Sequence, residues 1–353
     1  MTVPASMPGR GLKVGLLFDL RNPARWHADS ARLHSFTLEL CEEAEHLGAD
    51  SLWFSEHHLF DDGYLPQPLL FAAAAAARTR RIRLGTAVLV APLHNAVEIA
   101  EQAALVDILS AGRLNLGLGA GYRLPEFELY GVSAQNRFDR TDNIYRELHR
   151  LWSDEGISPR PVQQPPPVYL GYMGPRGVRR AGLLGAPILT ADAALWPAYR
   201  AALHEGGHPE STARMSGGVQ AWTTDDPERD WHLVGKHLAY QVNSYRRHGV
   251  QGTGQPVPPT LKPEDLIGVL DSPGADLVPK EQRLKDFWYG TPTAVAERIH
   301  AYVADAPVDT IILWASIGGM PEQMTRDNVT RICTQLAPLL RGDRSTGDTS
   351  GAT

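Results

Sequence analysis

Strand-like and helix-like segments alternate along this chain, eight of each, and predict a closed (β/α)8 TIM barrel. Three observations carry that expectation. The strand-like runs are apolar on both faces, the pattern of a parallel sheet covered by helices. Helical periodicity returns between successive runs. The length, 353 residues of which 43% are hydrophobic, suits one barrel with an insertion.

The elements follow in order. Lys13 to Phe18 is a short apolar run, the first predicted strand. Asp29 to Leu47 places Leu33, Phe36, Leu40, Ala44 and Leu47 at three- and four-residue steps and stops at Gly48, which predicts an amphipathic helix. Ser51 to Phe54 is the second strand, and Gln67 to Arg78 a helix with Pro68 tolerated near its start. Ile82 to Val90 is apolar and β-branched, a third strand stopped by Pro92; the helix Ala96 to Leu109 follows and closes at Ala111-Gly112. Leu114 to Leu118 is the fourth strand, Asp139 to Trp152 a helix, and Val168 to Gly171 the fifth strand. Then come the short helix Gly177 to Leu184, a sixth strand Ala186 to Thr190 and its helix Ala193 to His204. Met215 to Thr223 is the seventh strand, followed by a helix from Pro227 to about His248. The helix Thr293 to Ala304, the eighth strand Thr310 to Ala315 and the helix Glu322 to Leu340 complete the set.

Residues 13–340 are therefore read as a single barrel. The tails, 1–12 and 341–353, are rich in Gly, Ser, Thr and Pro and are expected to fray. One stretch breaks the alternation: Gln251 to Lys285 (251–285) is rich in Pro and Gly, acidic and weakly periodic. It is either a lid before the last strand or a solvated insertion.

The formal charge is −6 and no block of Lys and Arg forms a basic face, so no nucleic-acid partner is expected. The two cysteines, Cys41 and Cys333, each fall in a predicted helix, which excludes a disulfide framework and fits the reducing cytoplasm. No apolar run reaches membrane-spanning length and no secretory leader is legible, so no membrane is expected.

Candidate chemistry gathers at predicted strand ends. After the second strand come Ser55, Glu56, His57 and His58, then a loop through Asp61, Asp62 and Gly63 to Tyr64. Ionisable groups crowded where a strand meets a loop mark a site; the alternative is a capped strand end. Adjacent His57 and His58 on extended chain point to opposite faces, and no further ligand has helical spacing to them, so no metal is expected. His94, at the end of the third strand, can reach the same mouth. Gly117, Gly119 and Gly121 leading to Tyr122 are a poor dinucleotide fingerprint. They imply close backbone approach, to a ligand or to a neighbouring element. Gly171-Tyr172-Met173-Gly174-Pro175-Arg176-Gly177 opens a helix, where backbone N–H groups and Arg176 suit a phosphate; an ordinary Gly-Pro turn is the alternative.

Four motifs together resemble the bacterial luciferase-like, flavin-dependent monooxygenase family. They are Leu17-Phe18-Asp19-Leu20-Arg21-Asn22-Pro23; Trp53-Phe54-Ser55-Glu56-His57-His58 with Asp62-Gly63-Tyr64-Leu65-Pro66; Leu84-Gly85-Thr86-Ala87-Val88-Leu89 with Pro92 and His94; and Leu109-Ser110-Ala111-Gly112-Arg113-Leu114 running into Gly117 to Tyr122. Gly174-Pro175-Arg176 and Gly290-Thr291-Pro292 add support. The resemblance implies a (β/α)8 barrel of the luciferase-like type with FMN over the C-terminal strand ends. It implies a flavin ring near Ala87 and Val88, where relatives can hold a non-proline cis peptide, and flanked by Gly119, Gly121 and Tyr122. The phosphate would meet Tyr172, Met173, Gly174 and Arg176, and Phe18, Glu56, Tyr64 and His94 would line the substrate space. His57 matches the luciferase active-site histidine and is assigned as the catalytic acid/base. Two departures stand out. Ala120 replaces an arginine that some luciferases carry, with Arg123 a substitute, and Met173 replaces a small hydroxyl residue.

The implied chemistry is reaction of reduced FMN with O2 to a C4a-(hydro)peroxide that oxygenates a small organic substrate. A separate NAD(P)H:flavin reductase would supply the reduced flavin, and a homodimer is expected by analogy. The alternatives are an F420-dependent hydride-transfer enzyme and a non-catalytic flavin-binding subunit. Many F420 enzymes carry Glu-x-Leu-Asn-Glu where this chain has Tyr122-Arg123-Leu124-Pro125-Glu126, which favours FMN.

Overall fold

The structure is a computed structural model that describes residues 11–153, 156–270 and 287–342. Most of both tails and the 271–285 part of the insertion lie outside the described residues. In chain order the first elements are β1 (Lys13–Leu17), α1 (Ser30–His46), β2 (Ser51–Phe54), α2 (Pro68–Arg78), β3 (Arg83–Thr86), β4 (Leu89–Val90), α3 (Ala96–Leu109) and β5 (Leu114–Gly119). Next come α4 (Leu124–Leu129), α5 (Arg137–Leu151), β6 (Val168–Leu170), α6 (Gly174–Leu183), α7 (Trp196–Glu205), β7 (Met215–Thr223) and α8 (Pro227–Gly249). The described chain ends with α9 (Pro263–Leu270), β8 (Phe287–Gly290), α10 (Pro292–Val303), β9 (Val308–Trp314), α11 (Glu322–Arg331) and α12 (Ala337–Arg341).

Among the described residues all strand pairs are parallel. Around the ring β1 pairs β2, β2 pairs β3, β3 pairs β5 and β5 pairs β6. On the other side β1 pairs β9 and β9 pairs β7. Single bridges from Leu170 to Ile188 and from Ile188 to Met215 join β6 to β7 and complete the circuit. The expected sixth strand is thus reduced to one bridged residue. Pro187 has no N–H to donate and Gly185 turns the chain at φ +65°, so the ladder does not extend. The expected third strand is split into β3 and β4 around Ala87–Val88, whose peptide bond is cis.

Two elements in and around the insertion were not read from sequence. Its described part holds the helix α9, and β8 pairs Gln220–Thr223 of β7 outside the ring. The last helix is broken by a π turn, Ile332–Leu336, before Pro338. Elsewhere helix ends follow ordinary capping: Asp29, Asn95, Asp226 and Thr291 accept backbone N–H groups. No helix among the described residues is long and apolar enough to cross a membrane.

The barrel interior explains two glycines. A Cβ on Gly15 would lie 2.6 Å from Trp53 Nε1, and one on Gly85 2.3 Å from Trp53 Cε3. Trp53 therefore fills the barrel centre because both neighbours lack a side chain. Leu17, Trp53, Ile312 and Trp314 form an apolar cluster inside, with Ala87, Leu189 and Tyr245 packed against it. Strand alternation turns the next residue, Phe18, outward, where it stacks on Phe54 at 6.2 Å.

Candidate active site

The mouth is built by the loop after β2, by Ala120–Glu126 after β5 and by α8. His57 sits among aromatic rings: Phe60 at 4.9 Å, Tyr64 at 4.8 Å, Tyr122 at 5.5 Å and Tyr245 at 6.1 Å between centroids. Its Nδ1 is 2.9 Å from Glu126 Oε1, and its Nε2 is 3.4 Å from the Tyr122 hydroxyl. The same Glu126 oxygen accepts the backbone N–H of His58 at 3.0 Å and Arg123 Nη1 at 3.0 Å. Glu126 Oε2 has no partner among the described residues. Burial alone would raise the Glu126 carboxyl. The hydrogen bond and charge of His57, the His58 N–H and the charge of Arg123 outweigh it and hold the group below its usual range.

Arg123 is buried and committed. It donates to the carbonyls of His58 and His248 and to Gln251 Oε1, and lies 4.3 Å over the Phe60 ring. Arg123, offered above as a substitute for the arginine absent at Ala120, thus has its fork occupied by protein acceptors.

Glu56, His58 and His94 form a second network. Glu56 Oε1 accepts His58 Nε2 at 2.8 Å and His94 Nε2 at 2.7 Å, while Oε2 accepts the Val90 N–H at 2.6 Å. The Glu56 N–H donates to the Val88 carbonyl, so one residue braces the chain that follows the cis bond. Burial opposes charge on Glu56, but its histidine and backbone donors win and lower its carboxyl. Burial likewise opposes charge on His94, and the Glu56 contact raises it overall. Glu56 and His94, expected to line the substrate space, are thus buried against one another. His57 and His58 point to different carboxylates, as extended chain requires.

Beside this network Arg21 and Asp19 form a buried ion pair, with Arg21 donating through Nε and Nη2. The guanidinium lies 4.8 Å from the Tyr245 ring and 5.3 Å from that of Tyr64. The Tyr64 hydroxyl bonds Ser55 Oγ at 2.6 Å and the Tyr245 hydroxyl at 2.8 Å. Burial pushes both phenols up, which keeps them neutral.

The glycines at the ends of β5 and β6 pack on the β3–β4 segment. A Cβ on Gly119 would lie 2.4 Å from Val88 Cγ2, and one on Gly171 2.5 Å from Val88 Cγ1. Gly121, at φ +69°, would meet Val90 Cγ1 at 2.6 Å. At these positions the close approach is to a neighbouring element. The Met173–Arg176 turn differs. Gly174 has φ +70° with open space beside it, Met173 is 91% exposed and Arg176 is exposed, all at the start of α6. Tyr172 is buried instead, donating to Asp142 Oδ1 at 2.6 Å and so pinning α5.

Sequence reading missed the roles of Glu126, Arg21 and Tyr245, and singled out Arg123 without its partners. For Glu126 a local signal exists: Pro125 followed by an acid marks a helix start, here α4.

Residues 12–310 match the family described as luciferase-like monooxygenase. Among curated relatives, 4-hydroxyprotoasukamycin monooxygenase of Streptomyces nodosus subsp. asukaensis is 35% identical over 43% of this chain and 46% of its own length. The first such relatives are matched over only about half of their length. The F420-dependent glucose-6-phosphate dehydrogenase of Kineococcus radiotolerans is 28% identical over 85% of this chain and 91% of its own. The oxygenating constituent of 3,6-diketocamphane monooxygenase of Pseudomonas putida, solved with FMN, shares the fold at a TM-score of 0.69, with 19% identity over 93% of this chain and 98% of its own. The chain belongs to the luciferase-like monooxygenase family.

Proposed function

We propose that this protein is an FMN-dependent monooxygenase that oxygenates a small organic substrate with reduced FMN and O2, the reduced flavin coming from a separate NAD(P)H:flavin reductase. The observation that carries the reading is His57, held by Glu126 at an aromatic mouth beside the braced Ala87–Val88 segment. Reduced FMN, when bound, supplies the electrons that split O2 between product and water. The residues present fit that group. Gly119 and Gly171 let Val88 pack close against the ends of β5 and β6, where it would help hold the flavin, and the open turn at Gly174, with Arg176, would hold the phosphate at the α6 N-terminus. Trp53, Trp314 and Tyr245 close the barrel below the mouth and exclude water from it. His57 holds or moves a proton at Nε2, the nitrogen directed at Tyr122. The buried thiols Cys41 and Cys333 fit a cytoplasmic protein.

The relative matched over 85% of this chain is F420-dependent, so F420-dependent hydride transfer is the second reading. Equilibrium binding of FMN and F420 to the purified chain separates the two. FMN binding with incorporation of 18O from 18O2 into product is the expected result. F420 binding without FMN binding would sink the proposal.

A further inference from the structure

We propose that Glu126 is the positioning residue that sets the proton chemistry of His57, with Arg123 as its counter-charge. The inference rests on the reading of His57 as the proton-handling group of the mouth. A neutral imidazole carries one N–H, and an ionised carboxylate only accepts. At 2.9 Å from Glu126 Oε1, Nδ1 therefore carries the proton. The Nε2 lone pair then points away from the carboxylate, towards Tyr122. When Nε2 takes a proton from an O–H at the mouth, the ring becomes a cation, Nδ1–H stays in place and Glu126 remains ionised behind it. A carboxylate in that position stabilises the cation and fixes the ring.

The surroundings of His57 make Glu126 the controlling charge. From its own loop it faces neutral Tyr64, and from the loop after β5 Tyr122 and Arg123. From α8 it faces Tyr245, while His248 stacks on Phe60 at 4.0 Å and lies 3.6 Å from Asp61. Glu126 is the carboxylate in hydrogen-bond contact with the ring. Arg123 is held independently by His248 and Gln251, so it stays in place when Glu126 changes. The other histidine network contrasts with this one, since Glu56 spends its second oxygen on the Val90 N–H.

The test uses the full-length, flavin-free protein labelled with 15N-histidine, with His57 signals identified by their loss in His57→Gln. Neutral His57 is expected as the Nδ1–H tautomer. Glu126→Ala removes the acceptor that fixes Nδ1–H, and the neutral ring should pass from pure Nδ1–H to a mixture of the two tautomers. Loss of the pure Nδ1–H state in the variant supports the proposal; a ring that stays wholly Nδ1–H overturns it. An Nε2–H tautomer in the unsubstituted protein also overturns it, and that measurement needs no variant to fold. Neither readout involves oxygenation, so failure of the FMN reading leaves both results standing.

Discussion

His57 and Glu126 are 69 residues apart in sequence and 2.9 Å apart in space. His57 could be picked out because it follows a strand in a cluster of polar residues. Its partner could not, because nothing local ties Glu126 to it. Removing the imidazole tests the role directly: His57→Ala is expected to lower product formation from reduced FMN and O2 by roughly 100-fold, with FMN affinity within about threefold of the parent. Unchanged turnover would remove the assignment. Gly119 carries a packing argument at the same scale. A methyl there meets Val88 at 2.4 Å, and Gly171 closes the other side of the valine. Gly119→Ala should cost about 1–3 kcal/mol of stability in urea titrations and weaken FMN binding. Unchanged stability would mean that Val88 can turn aside.

Elements on contiguous apolar stretches were legible to within a residue or two. The predicted Ser51–Phe54 strand and Ala96–Leu109 helix coincide with β2 and α3, since each is specified by its own periodicity. The short elements were not. The helix α4 spans only Leu124–Leu129, too few residues to show a period, and β8 lies beside the acidic, Pro-rich insertion. The start of β3 depends on a contact across elements. Glu45, at the end of α1, accepts the backbone N–H groups of Arg80, Arg81 and Ile82 at 2.6–3.1 Å. Burial works against its charge, and those donors hold the carboxyl low. Glu45→Ala leaves them without their acceptor and is expected to cost about 1–3 kcal/mol, read from the denaturation midpoint. A midpoint unchanged in the variant would show that water replaces the carboxylate.

For the whole molecule the buried histidines set a pH window. His94 is raised, so its contribution is complete below the unfolded value near 6.5 and is lost as pH rises through the folded one. His237 and His248 are lowered, chiefly by burial, so theirs is complete above about 6.5 and is lost as pH falls. The lowered carboxyls of Glu56 and Glu126 add a further loss as pH falls below about 4.3. Stability measured in urea from pH 4 to 9 should therefore peak near pH 6.5, and His94→Gln should flatten the alkaline side. A steady rise to pH 9 would contradict the argument. Self-association is the other expectation at this scale. Leu70 of α2 and Leu105 and Leu109 of α3 expose apolar surface that a second copy would cover. Light scattering should give twice the chain mass, and Leu105→Glu should halve it; a monomeric parent chain would end this reading.

By itself the sequence determined the αβ alternation, most element boundaries and the family. Each is written in local periodicity or in a motif of neighbouring residues. Only the tertiary structure decided that Ile188 alone stands for the sixth strand and that Phe18 faces outward. It also decided that Glu56 braces the cis segment and that Arg123 and Glu126 stand behind His57. Those facts depend on which strand ends and loops the closed ring brings together, and chain separation carries no record of that distance.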